Sequence, residues 1–291
     1  MSKLPIGLVR EIFEIAVSGD RLSALRLVVV SKAVQHWIDP LLYQAVHLLD
    51  KDACDTFICT ISTKGRQFMA RHVKTLNVRL PVTLKSDAAE NFQLIVRVCE
   101  GVESLCYTGS SSTSAPTVLQ WLDTTKLRPR HLCLGTGYPP PTTKIYDAAN
   151  DQLSPFYRGI SHLELDDTWA WLYWASNVHM LPNLTHLAFC PILSDVADTS
   201  DTLVTWIKSM LASDFLQVLV LLPRGFDFAM GYEKRVRSLE TCVRVNDPRL
   251  VVILHYVDPP SRWAAEERDE GLRLWDRAER VVRKHLCGSE E

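Results

Sequence analysis

The feature that most constrains this chain is a short hydrophobic pattern, aliphatic-x-x-Leu-x-aliphatic or aromatic, that recurs after residue 70. Full copies are Val73-Lys-Thr-Leu76-Asn-Val78, Val102-Glu-Ser-Leu105-Cys-Tyr107, Ile160-Ser-His-Leu163-Glu-Leu165, Leu184-Thr-His-Leu187-Ala-Phe189 and Leu216-Gln-Val-Leu219-Val-Leu221. A partial copy, His131-Leu132-Cys133-Leu134, falls between the second and third. The central leucines recur at spacings of 29, 27, 31, 24 and 32 residues. Alternation of apolar and polar residues is the signature of a strand with one face buried. Between the copies lie helix-like stretches at 88–100, 117–124, 169–180, 202–211 and 235–245. Strand, helix, strand at this interval predicts an α/β fold with a parallel sheet and helices on its outer layer. The apolar run 250–256 has the β-branched content to close the sheet, and 262–286 reads as a helix capping the last strand.

These copies resemble the leucine-rich repeat, and the spacing suggests a solenoid. Regular members of that family carry an Asn a few residues beyond the last strand leucine. Pro81, Ser110, Gly137, Thr168 and Ile192 take that position here. The expected arc is therefore irregular, with a plain open α/β sheet as the alternative.

The first fifty residues follow a different rule. Leu8, Ile12 and Ile15 recur at helical spacing after Pro5, which a first helical turn tolerates. Gly19 and Asp20 interrupt the pattern. Leu22, Leu25, Val29 and Val30 then predict a second helix running through Ser31 towards Trp37, with a new segment beginning at Pro40. Leu4-Pro5, Ile12-Phe13, Val30-Ser31-Lys32 and Trp37, with the tail Pro40-Leu41-Leu42-Tyr43, resemble the F-box, in its fungal F-box-like form. The resemblance covers residues 3–48. It implies docking onto a Skp-type adaptor protein of a cullin-RING ubiquitin ligase, with Leu4, Pro5, Leu8, Ile12, Phe13, Val30 and Trp37 as the adaptor-binding residues. Gly7 replaces the family's usual Glu, at a cost in helix propensity of about 1 kcal/mol. The competing reading makes this segment a helical cap over the open end of the larger domain. The expected division is thus an F-box-like module over 1–48 and a leucine-rich-repeat-like domain over 49–291.

Composition narrows the partners. A net charge of -2 and a pI near 6.5 supply no basic field to draw nucleic acid or anionic membrane. Eight cysteines are scattered without a Cys-x-x-Cys pair, which reads as reduced, mostly buried thiols. Arg10, Glu11 and Glu14 interrupt the N-terminal apolar run before it could serve as a secretory signal. The expected location is cytoplasmic or nuclear.

The strand register also places side chains. Thr75, Ser104, His131, His162, His186 and Val218 should form one row on the face opposite the leucines, beside Asn77, Cys106, Cys133, Glu164, Ala188 and Val220. Stacked imidazoles near Glu164 and Asp166 have the chemistry for metal ligation or acid–base work, but a strand face that binds protein also uses such residues. The preferred assignment is a target-binding concave face comprising Asn77, Arg79, His131, His162, Glu164, Asp166 and His186. The aromatic cluster Trp169, Trp171, Tyr173 and Trp174 divides between core and interface. The Gly/Ser-rich stretch 109–114 lacks the Gly-Lys-Ser/Thr ending of a phosphate cradle, and no nucleophile elbow, dinucleotide fingerprint or His-Glu-x-x-His occurs. The sequence therefore predicts no catalytic residue, no metal and no cofactor. It predicts a non-enzymatic substrate-recognition subunit of a ubiquitin ligase. A stand-alone binding scaffold is the alternative, and an enzyme or metal-binding protein using the histidine row is the third reading.

Overall fold

The computed structural model of the chain describes residues 4–17, 20–80, 86–109, 122, 125–136, 146–147, 152–166, 174, 178–190, 196–222, 247–253 and 273–287. Three helices come first: α1 (Ile6–Val17), α2 (Arg21–Leu27) and α3 (Lys32–Leu42). The single second helix expected from the apolar spacing is two helices. Ser31 divides them: its backbone is extended and its Oγ accepts from Val34 N at 3.2 Å, a side-chain cap that starts α3 afresh. Asp20 starts α2 in the same way, accepting from Leu22 N at 2.9 Å. Pro40 opens no new segment and lies inside α3.

The helices close around Val17, Ala24, Val34 and Ile38, with Phe13 and Trp37 packed against that small core. The Phe13 and Trp37 ring centroids are 6.3 Å apart. Lys64, in the last turn of α4 (Lys51–Lys64), pairs with Asp39 and so ties α3 to α4. Asp50 caps α4 by accepting from Ala53 N at 2.8 Å. Gly65 separates α4 from α5 (Arg66–His72) at φ 86°, a conformation that favours glycine.

The body of the protein is an eight-stranded parallel sheet in which each strand lies beside the next in chain order. Its strands are β1 (Ala45–Leu48), β2 (Thr75–Leu80), β3 (Ser104–Gly109), β4 (His131–Thr136), β7 (His162–Leu165), β8 (His186–Phe189), β9 (Val218–Leu221) and β10 (Leu250–Val252). A minor antiparallel pair, β5 (Tyr146–Asp147) and β6 (Gln152–Leu153), lies outside it. Each central leucine pairs in register with the next, from Leu76 through Leu105, Leu132, Leu163 and Leu187 to Leu219. The α/β class, the parallel direction and this register are those the leucine spacing predicts. β1 is an addition to the expected strands; it pairs with β2 through Val46↔Leu76, so the sheet begins inside the segment assigned to the N-terminal module.

One face of the sheet carries the leucine rows and packs against α4, α5, α6 (Ser86–Val98) and α7 (Val196–Leu211). Phe57, Ile61, Met69, Phe92, Ile95, Trp206 and Ile207 supply the helix side of that core. Removal of each such side chain from water contributes about 1.5–3 kcal/mol. The last helix, α8 (Leu274–Cys287), covers the final strand as expected, and extends over β8 and β9 as well. Its Leu274, Ala278 and Val282 cluster with Ala188, Cys190, Val218, Val220, Leu222 and Val251, which lie on the opposite face of the sheet. The physical reason is that β8–β10 are apolar on both faces, and the second face requires a cover. The helix-like stretches 117–124, 169–180 and 235–245 lie wholly or largely outside the described residues. No described helix is long and apolar enough to cross a membrane.

Candidate functional site

His131, His162 and His186 open three successive strands and are paired directly in register. Their rings lie side by side, with centroids 4.2 Å apart between His131 and His162, which are tilted by 59°, and 4.1 Å between His162 and His186, which stack. The latter two rings are within 13° of parallel. A hydroxyl holds each Nδ1: Ser104 Oγ at 3.2 Å from His131, Ser161 Oγ at 2.9 Å from His162, and Thr185 Oγ1 at 2.7 Å from His186.

This row is roofed. Trp275 of α8 meets His162 and His186 edge-on, at centroid distances of 5.2 and 5.5 Å. Glu279, one turn further along α8, places Oε1 3.3 Å from His186 Nε2, and its Oε2 lies 3.7 Å from the Arg283 guanidinium. Burial and neighbouring charge act together on the imidazoles. Desolvation, then the adjacent His131 and His186, push the His162 pKa down to about 3. His131 is lowered chiefly by burial, with His186, Arg130 and Arg273 adding to it and Glu103 opposing it. His186 is lowered by burial against the opposing pull of Glu279. Burial thus favours the neutral form of all three rings.

The expectation of an open target-binding face requires correction. Asn77, Glu164, Asp166 and His186 are buried, and His131 and His162 half-buried. A target protein has no access to the four buried side chains while α8 and the surrounding chain stay in place. Of the residues assigned to that surface, Arg79 is exposed. Asp166 Oδ1 accepts from Cys190 Sγ at 3.4 Å, and its Oδ2 lies 3.2 Å from where a Cβ at Gly135 would stand, so this row is closely packed. Trp174 is buried in the main core; Trp169, Trp171 and Tyr173 lie outside the described residues.

The N-terminal residues divide into two groups. Leu4, Pro5, Leu8, Ile12 and Val30 are exposed, while Phe13 and Trp37 are half-buried and belong to the small helical core. Around the first group stand further exposed apolar side chains: Ile6, Ile15, Leu22, Leu25 and Val29, the last 81% exposed. Such a concentration on α1, α2 and the following turn departs from the single scattered apolar residues usual on a protein surface.

Sequence reasoning missed Glu279 and the hydroxyls of Ser161 and Thr185. Their signals were present: the histidines recur as Ser161-His162-Leu163 and Thr185-His186-Leu187, and Leu274, Ala278 and Val282 at four-residue intervals carry Trp275 and Glu279 along one flank of α8. Compared with protein-family models, with curated proteins and with solved structures, the chain finds no match, so its function is argued from its own residues.

Proposed function

We propose that this chain is a substrate-recognition subunit of a Skp/cullin-type ubiquitin ligase, with α1–α3 as an F-box-like module and the parallel sheet with its helices as an irregular leucine-rich-repeat-like solenoid. The observation that carries the reading is the outward apolar surface of α1, α2 and the turn at Val29 and Val30. A helical cap over the sheet would turn its apolar side chains inward. Here Leu8, Ile12, Ile15, Leu22 and Leu25 face away, and the three helices close on a core of their own. Short helices presenting aliphatic anchors are a recurring mode of helix docking. The chain then performs no chemistry itself, binds its target protein through the sheet domain and acts in the cytoplasm or nucleus.

The test is a pull-down of the purified full chain with a Skp adaptor. Leu8→Asp with Ile12→Asp, both on the exposed side, should abolish capture while the circular dichroism spectrum stays that of the parent. Equal capture by parent and variant would remove these helices from the interface. No capture by the parent would favour the stand-alone scaffold.

A further inference from the structure

The histidine row has a directionality that its hydroxyl partners set. Ser161 Oγ donates to the Arg130 carbonyl at 3.3 Å, and Thr185 Oγ1 donates to the Ser161 carbonyl at 3.2 Å. A hydroxyl has one proton to give. In the arrangement that sends that proton to the carbonyl, each oxygen accepts from the neighbouring Nδ1–H, and the lone pair of a neutral ring falls on Nε2. In His186 that atom is buried and makes no hydrogen bond of sound geometry among the described residues. It faces Glu279 Oε1 at 3.3 Å. In that tautomer the lone pair and the carboxylate oxygen repel at this distance unless a cation lies between them.

We infer that His162, His186 and Glu279 form a binding site for a divalent transition-metal cation, zinc in the first place, which clamps α8 onto the sheet. One ligand atom from each residue lies within 4.8 Å of the others. Tetrahedral zinc with bonds of about 2.0–2.1 Å sets its ligand atoms about 3.4 Å apart, close to the separation His186 and Glu279 already show. Two imidazole nitrogens and one carboxylate oxygen suit zinc over calcium or magnesium, which take oxygen ligands. Ser161 and Thr185 fill the outer role that ligating histidines require, holding Nδ1–H so that Nε2 points inward. Binding asks for two adjustments. The near-parallel rings must splay until their lone pairs converge, and Glu279 must leave Arg283, a contact of 3.7 Å at a well-exposed arginine. Three protein ligands leave a fourth position for water.

The full chain, stripped with chelator and then equilibrated with zinc, is expected to retain one zinc per chain after gel filtration, by elemental analysis. Cobalt in its place should give visible d–d bands without thiolate charge transfer, which separates this site from the cysteines. Glu279→Gln keeps the size of a half-exposed side chain and should weaken zinc binding by at least about tenfold, the scale on which supporting groups alone act. His162→Asn with His186→Asn should lose the metal entirely. The inference is overturned if the parent chain retains no zinc, since Nε2–H of His186 then donates to Glu279. Undiminished retention in Glu279→Gln, or a cobalt spectrum with thiolate character, overturns it equally.

Discussion

Gly101 lies in the turn between α6 and β3, where a Cβ would stand 2.1 Å from the Ala70 carbonyl oxygen of α5, so the turn approaches that helix more closely than any other residue permits. Gly101→Ala should destabilise the chain by about 1–3 kcal/mol through backbone displacement, and an unchanged urea midpoint would contradict that packing. Arg249, just before β10, directs its guanidinium to the carbonyls of Leu211, Ser213 and Leu216 as well as to Asp247, holding the end of α7 against the last strand. The hydrogen bond from Arg249 holds the Asp247 carboxyl below its usual pKa. The unfolded chain therefore takes up a proton there more readily. The stabilisation is complete above an ordinary aspartate pKa of about 3.9 and disappears as pH falls through the lower folded value. Asp247→Asn should thus cost stability at neutral pH, with the difference from the parent vanishing in strong acid; a difference independent of pH would show that the charge contributes nothing. The sequence made the histidine register legible, since alternation and the Leu spacing determine it. Glu279 was not legible as a partner, because that depends on which face of the sheet α8 covers.

Elements with a strong period were legible, and those whose repeat is disguised were not. β1 follows the same pattern as the other strands, as Tyr43-x-x-Val46-x-Leu48, but an aromatic and a valine replace the aliphatic and the leucine. Helix α4 carries Cys54, Phe57 and Ile61 inward at helical spacing, yet it precedes the first leucine copy, and the repeat gives no sign of it. The face that α8 covers was not legible, and the cause is collective: Ala188, Val220 and Val251 are individually unremarkable, and together they make an apolar face that needs a cover. Ala278 lies at the centre of that contact and is fully buried. Ala278→Glu, which would bury a charge without a partner, should unseat α8 and expose Trp275. The expected readout is a red-shifted tryptophan emission with the sheet's circular dichroism retained; an unshifted spectrum would mean that α8 is held by other contacts.

At the scale of the whole molecule, α1–α3 close on one small hydrophobic cluster while α4–α7 and the sheet share a much larger one. Few buried contacts imply easier local opening. Amides of α1–α3 should therefore exchange with deuterium well before those of β2–β9. The leucine spacing and the helical period of the first fifty residues made the α/β body and the N-terminal helices legible. They said little about surfaces, because exposure is a property of assembly: the row expected to be open is covered, and the helices are where apolar side chains face solvent. The most direct test of the account is hydrogen–deuterium exchange of the full chain with and without a Skp adaptor. New protection is expected over residues 4–17 and 20–31, with the exchange of β2–β9 unchanged. Protection confined to the sheet strands, or no change anywhere, would contradict it.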